Sequence, residues 1–331
     1  MRVRGRYGGQ PVDEVYNYGV FDYGAPNFVY RFVKGETDYM AAATPTDYFV
    51  YQYVARGSRV EQQDLRLTAA QADSLYRLLL HDIQPEFREY RYKYFSNNCA
   101  TRLRDNVERV TGRPLGVQTA NPEVQPGAQS LRDVLRRYDD GYPWYRLGID
   151  IALGQAIDAP ATVRQTMFVP GIMRDVAARD AALVAPAEVL YEGAGDVRLA
   201  PTPWWRSPLF VFGAVLVAVA AVLRFCRRPR WIYSLWFAAT GLAGCLVWFL
   251  IFVSVHEATS PNLLGWWLTP LAFVPSVSVW LPRARRFNRV LLTAYGVITA
   301  AVLAATLWLC LNPALMLMMA TTILLCFWRR G

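Results

Sequence analysis

Apolar residues are arranged in two different ways along this chain of 331 residues. From residue 207 onward they come in long runs, at 208–223, 231–255, 263–281, 290–311 and 313–328. A helix crosses a bilayer with about 20 mostly apolar residues, so the runs predict about five transmembrane helices. A buried helix in a soluble core could explain one such run but not five in succession. The tight Asn312-Pro313 turn leaves four spans as the alternative.

Before residue 207 the apolar stretches are short and alternate with polar ones. Residues 12–23 and Tyr48 to Val54 are aromatic and β-prone. With turn signals at Gly8-Gly9, Ala25-Pro26 and Lys34-Gly35, they predict an antiparallel meander. Thr68 opens a helix that runs to about His81, with Gln71 at the capping-box position and Leu75, Leu78 and Leu79 on one face. Pro85 ends it, and residues 88–95 alternate. A helix from Cys99 to about Thr111 is closed by Gly112 and Pro114. A polar loop at 116–129 leads to a helix at Ser130–Tyr138. Further helix is expected at 147–154 and 162–182, interrupted at Met167–Pro170, and residues 186–206 read as the approach to the membrane. The predicted division is an α+β domain at 1–206 and an all-α membrane domain at 207–331.

Charge sharpens that division. The net charge is +9, which at first suggests a nucleic-acid partner. Residues 1–206, however, hold 25 basic and 25 acidic residues, while residues 207–331 hold 10 basic residues and one acidic residue, Glu257. The excess lies in clusters between apolar runs: Arg224, Arg227, Arg228 and Arg230, then Arg283, Arg285, Arg286 and Arg289, then Arg329 and Arg330. Basic loops mark the cytoplasmic side. With five spans all three clusters fall on one face, and the opposite loops, Val255–Asn262 and the Cys310–Pro313 turn, carry almost no positive charge. This pattern excludes nucleic acid, puts the C-terminus in the cytoplasm and puts residues 1–206 outside it. Trp204, Trp205, Trp231, Trp266, Trp267, Trp280 and Trp328 fall near the expected boundaries, where indole rings are favoured. An exported N-terminal half calls for a signal, and Met1-Arg2-Val3-Arg4-Gly5-Arg6 has no apolar stretch behind it. Either the first apolar run inserts and translocates everything before it, or the chain starts further upstream, which is the expectation favoured here.

Of five cysteines, Cys226, Cys245, Cys310 and Cys326 lie in or beside the apolar runs. Cys99 is the only one in the exported half, so no disulfide partner exists for it there. No metal-ligand spacing surrounds it, and nothing calls for a cofactor. Asn97 and Asn98 are good helix N-cap residues, which places Cys99 in the first helical turn. Unpaired N–H groups and the helix dipole there favour a thiolate. The sequence therefore predicts a cysteine nucleophile. A base is harder to find. His81 ends a helix, and His256 lies beside Glu257 in an outward loop. Arg102 shares a helical face with Cys99, with Asp105 one turn on. The pair could order the site, or Arg102 could hold a phosphate headgroup. Asn17 and Asp22 could orient a base from the aromatic strand.

Five stretches taken together resemble a known family. They are Val15–Asp22, Phe28–Gly35, Tyr94–Asp105 with its Asn-Asn-Cys-Ala-Thr-Arg core, Gly148–Gly154 with Asp158, and Met167–Pro170. The chain looks like a member of the Lnb N-terminal periplasmic domain family, whose bacterial members include lipoprotein N-acyltransferases. The resemblance covers roughly residues 1–205, and the helical region after them also fits. It implies a permuted papain-like (NlpC-type) fold, with a histidine on an early strand facing a cysteine at a helix start. Cys99 takes the cysteine position. The family's histidine stands in a Gly-His pair just before the strand that Arg2-Val3-Arg4 continues, again pointing to a start further upstream.

The function expected is acyl transfer at a bacterial inner membrane, with the site on the periplasmic side. A phospholipid would be the acyl donor, Cys99 would carry the chain as a thioester, and the N-terminal amine of a lipoprotein would accept it. Two other readings remain open: an NlpC-type cysteine peptidase or amidase acting on the cell wall, and a membrane-anchored binding module without catalysis.

Overall fold

The computed structural model describes residues 1–115, 129–194, 200–226, 229–309 and 311–328. The expected loop at 116–129 falls almost wholly outside the described residues, as do Arg227, Arg228, Cys310, Arg329 and Arg330. The chain divides into two compact units, one of residues 1–131 and 160–199 and the other of residues 132–159 and 200–331.

The first unit is mixed helix and sheet. Its elements are β1 (Arg2–Tyr7), β2 (Gln10–Val20), α1 (Phe28–Lys34), β3 (Asp38–Pro45), α2 (Thr46–Val54), β4 (Val60–Gln62), α3 (Ala69–Asp82), β5 (Glu89–Arg91) and α4 (Cys99–Thr111). After an excursion into the second unit through α5 (Leu131–Tyr138) and α6 (Pro143–Ala152), the chain adds α7 (Val163–Thr166), α8 (Pro170–Ala178) and β6 (Glu188–Tyr191) to the first. The main sheet is antiparallel in the order β1-β2-β3-β5. A second small sheet pairs β4 with β6.

The meander is therefore present, with two differences. The Lys34-Gly35 signal closes a helix, α1, rather than a hairpin. Residues 48–54 are likewise helical, because their aromatic side chains meet at helical spacing: Phe49 and Tyr53 lie 5.2 Å apart, and the Arg56 guanidinium sits 4.5 Å from the Tyr53 ring. Helix α3 begins at the expected capping box, Thr68 with Gln71. It buries Leu75 and Leu79 against Tyr16, Tyr18, Ala41 and Tyr90 of the sheet. Burying one such leucine contributes about 1.5–3 kcal/mol.

The second unit is helical. Its α-helices from Pro208 onward are α9 (Pro208–Phe225), α10 (Arg230–Phe252), the short α11 (Phe273–Ser278), α12 (Arg285–Trp308) and α13 (Pro313–Phe327). Among the described residues three stretches are long and apolar enough to cross a membrane, Pro208–Phe225, Arg230–Phe252 and Pro282–Trp308. The run at 263–281, expected as one helix, is instead broken into 3-10 turns at Leu263–Trp266 and Pro270–Ala272 followed by α11. Pro270 removes a backbone donor, and the Asn262 and Thr269 side chains cap each new start. Such irregular backbone is tolerated at membrane depth only inside protein, and Trp267, Leu268 and Ala272 are fully buried here. Trp267 is thus a core residue and not an interfacial one. Its Nε1 donates to Thr322 Oγ1 at 3.1 Å, and its carbonyl accepts from the Tyr295 hydroxyl.

Residues 132–159 cluster with this helical unit and not with the domain that precedes them in sequence. Leu147 of α6 belongs to the helical core. Gly154 N–H donates to the Ala258 carbonyl, Gln155 N–H to the Pro261 carbonyl, and Asn262 Nδ2 to the Ile151 carbonyl. A Cβ at Gly154 would stand 1.9 Å from the Pro261 carbonyl oxygen, so only glycine allows this approach. Arg132, buried, binds Asp150 at 3.1 Å and also Asp158, and Asp150 accepts from Asn312 Nδ2 at 3.2 Å. Asp150 and Asp158, both in the segments that carry the resemblance, thus have structural partners.

Candidate functional site

Cys99 is the first residue of α4, and the residues before it fix that start. Asn98 is 4% exposed, and its Oδ1 accepts from the N–H groups of Ala100 and Thr101, both at 2.9 Å. The Thr101 hydroxyl in turn accepts from Asn98 N–H at 2.7 Å, completing a capping box. The Asn98 amide nitrogen donates to the carbonyls of Tyr94, at 3.0 Å, and Phe168, at 2.8 Å. Of the two asparagines, Asn98 therefore makes the cap. Asn97 closes the turn before it, with Nδ2 donating to the Arg91 carbonyl at 2.9 Å and Oδ1 accepting from Arg102 Nε at 2.9 Å.

The thiol is half-buried and packs against the Tyr16, Tyr18 and Tyr90 cluster. Its pKa is raised, opposite to the expectation from the helix start. Burial penalises the thiolate more than the N–H groups of Ala100 and Cys99 stabilise it. Tyr39, Tyr90 and Tyr92 stand close enough for a Cys99 thiolate to add to the upward push that burial gives their phenols. Tyr39 stacks on Tyr92 at 4.1 Å and reaches Phe21 at 4.8 Å, so an aromatic wall runs outward from the cysteine. Gly19 adjoins the cysteine on the sheet side, where a Cβ would lie 3.9 Å from Cys99 Cβ.

Behind the thiol, Tyr18 is held by polar groups. Its hydroxyl donates to Asp82 at 2.6 Å and accepts from Asn106 Nδ2 at 2.8 Å, and its carbonyl accepts from the Tyr90 hydroxyl. This braces β2 against α4 and α3.

The Arg102–Asp105 pair is not formed. Arg102 is taken by Asn97 and lies 4.2 Å over the Tyr90 ring, and Asp105 binds Arg104 at 2.7 Å and Arg164 at 2.8 Å. Asn17 and Asp22 each accept from a backbone N–H two residues on, Gly19 at 3.0 Å and Gly24 at 2.8 Å. They are turn formers, and Asn17 shapes the bulge that presents Gly19. His81 is exposed, stacks on Phe87 at 4.1 Å and faces Asp82 at 3.4 Å. His256 belongs to the second unit, where its N–H donates to Ser254 Oγ at 3.2 Å. Gly19 and the Tyr39, Tyr90 and Tyr92 wall do not stand out in the sequence. The alternation at 88–95 holds two of these tyrosines, but their meeting with Tyr39 depends on the β3–β5 register.

Residues 1–137 match the Lnb N-terminal periplasmic domain, and residues 199–330 match the Lnb transmembrane domain. No curated protein and no solved structure matches the chain. The two matches belong to one family and together cover most of the sequence, and the chain belongs to that family: a Lnb-family membrane protein with a periplasmic N-terminal domain and a transmembrane C-terminal domain.

Proposed function

We propose that this chain is a membrane-bound acyltransferase that moves an acyl chain from a phospholipid, through a Cys99 thioester, to the N-terminal amine of a lipoprotein. The observation that carries the reading is the placement of Cys99: first residue of a capped helix, with amide N–H groups at its thiol and Gly19, which has no side chain, beside it. A cysteine-bearing helix start against an antiparallel sheet also suits a permuted papain-like domain.

In the first half-reaction Sγ attacks the ester carbonyl. A C–S bond forms, the C–O bond to glycerol breaks, and the leaving alkoxide takes a proton to give a lysophospholipid. In the second, the lipoprotein amine attacks the thioester. A C–N bond forms, the C–S bond breaks, the amine loses a proton and the thiolate returns. The amide groups at the start of α4 suit an oxyanion in both steps. Covalent transfer divides one difficult reaction into two easier ones.

Because burial pushes the thiol up, the first step needs a base.

The membrane part would be crossed five times, with the broken segment at 263–281 and the shorter α13 completing the set. The clusters around Arg224 and Arg286 would face the cytoplasm of a bacterial inner membrane, and the first unit the periplasm. The raised thiol pKa favours one rival, a binding module with an inert cysteine. Incubation of the purified chain with phospholipid, followed by mass spectrometry of the Cys99 peptide, separates the two. The acyltransferase reading expects a hydroxylamine-labile acyl group on Cys99, and a permanently unmodified Cys99 supports the binding module.

A further inference from the structure

A cavity of about 260 Å³ lies within the second unit, and none of the residues of the cysteine site lines it. Its walls include Arg136, Arg146, Ser207, Leu209, Leu311 and Asn312. Its remaining lining residues are the prolines at the first positions of α6, α9 and α13, so three helix N-termini open onto it. Each such end carries roughly half a positive charge. Two guanidinium groups add to that field, and among the described residues no carboxylate lines the cavity.

The two arginines differ. Arg136 is engaged from behind by Asp150 at 3.4 Å. Arg146 is half-buried and, among the described residues, its guanidinium has no hydrogen bond or ion pair, only the longer-range attraction of Asp139. Ser207 and Asn312 are spent mainly as helix caps, for Phe210 and Ala314. What remains for a ligand is a cationic end and an apolar side. Leu209 is 52% exposed at the start of a candidate span, and Leu311 lies just before α13.

We propose that this cavity binds the phosphate ester of a membrane lipid, with Arg146 as the principal contact and Arg136 as the second. Arginine suits a phosphate through paired N–H donors. The cavity is slightly smaller than ordinary small-ligand pockets, which run from about 300 to 1,000 Å³. It holds a headgroup, and the acyl chains pass along Leu209 into the bilayer. As a phosphate-ester site it stands on the cavity alone. As the place where an acyl donor is held, it rests on the acyl-transfer reading above.

The test is native mass spectrometry of the full chain, purified in detergent and offered dioleoyl phosphatidylglycerol, dioleoylglycerol or inorganic phosphate. The expected result is retention of one phosphatidylglycerol, no retention of dioleoylglycerol, and no displacement of the lipid by millimolar phosphate. Arg146→Ala should lower retention about tenfold, the effect of losing one charge-assisted contact, and Arg146→Lys should restore part of it. If Arg146→Ala fails to fold, Leu209→Glu decides, because it puts a carboxylate at the mouth from an exposed position and should also abolish retention. Retention unchanged in the folded variant would overturn the site. So would equal retention of dioleoylglycerol, and displacement by phosphate would show a site for the free ion instead. Cys99→Ala should retain the lipid whatever it does to acyl transfer, so this proposal and the catalytic one fail separately.

Discussion

Gly19 faces Cys99 across the junction of β2 and α4, and a Cβ on the glycine would come within 3.9 Å of Cys99 Cβ. The same Cβ would sit 3.3 Å from Asn17 Oδ1, the atom that shapes the bulge. A longer side chain at this position would cover the thiol from the sheet side. Gly19→Leu should therefore slow alkylation of Cys99 by about tenfold, since thiol reactivity follows access as well as ionisation. The readout is the iodoacetamide-modified Cys99 peptide, with the circular dichroism spectrum unchanged. An unaltered rate would show that access comes from elsewhere.

Alkylation should also report the raised thiol pKa. Burial favours the neutral thiol, so the thiolate fraction at neutral pH is lower than for an ordinary cysteine, whose reference value is 9.0. The alkylation rate of Cys99 should climb through pH 9 without levelling. The sign for stability follows. With the folded pKa above the unfolded one, the folded state holds its proton longer, and stability falls as pH rises past the unfolded value. A plateau in rate below pH 7 would mean that the helix start outweighs burial.

Asn98 joins three segments through one side chain, capping α4 and holding the carbonyls of Tyr94 and Phe168. Asn98→Ala removes the cap and leaves the buried Phe168 carbonyl unpaired, which should cost about 2–4 kcal/mol. Denaturant unfolding measures it. Asn98→Asp keeps the acceptor and loses the two donated bonds, so it should fall between. A loss below about 0.5 kcal/mol for the alanine, the low end for a cap alone, would contradict this account.

In the helical unit, Asp150 is 2% exposed and accepts from Arg132, Arg136 and Asn312. Removing one partner of a buried ion pair costs about 3–5 kcal/mol, because the other charge is left uncompensated. Asp150→Ala should lower the thermal midpoint of the detergent-solubilised protein by several degrees. The exposed pair Arg77–Asp73 provides the contrast, and Asp73→Ala should leave the midpoint unchanged.

What was legible in the sequence was local. The capping box at Thr68, the Gly112 stop and the start of α4 at Cys99 each follow from a few neighbouring residues. The long apolar runs likewise marked the helical unit. What was not legible depends on distant partners. Residues 48–54 looked like a strand by composition, and only the Phe49–Tyr53 spacing shows why they coil. Arg102 and Asp105 are one turn apart, yet Asn97 and Arg164 outcompete each for the other. The thiol's pKa followed burial by tyrosines from three strands, which no local motif near Cys99 encodes. The assignment of residues 132–159 to the helical unit rests on contacts such as Asn262 with Ile151 and Gly154 with Ala258, whose partners lie more than 100 residues apart in the chain.

The most direct test of the central claim replaces the natural gene with one encoding Cys99→Ala and examines the N-termini of cellular lipoproteins by mass spectrometry. The account predicts free α-amines on lipoproteins that are N-acylated when Cys99 is present. Lipoproteins still N-acylated in the Cys99→Ala cells, at the level seen with the natural chain, would contradict it.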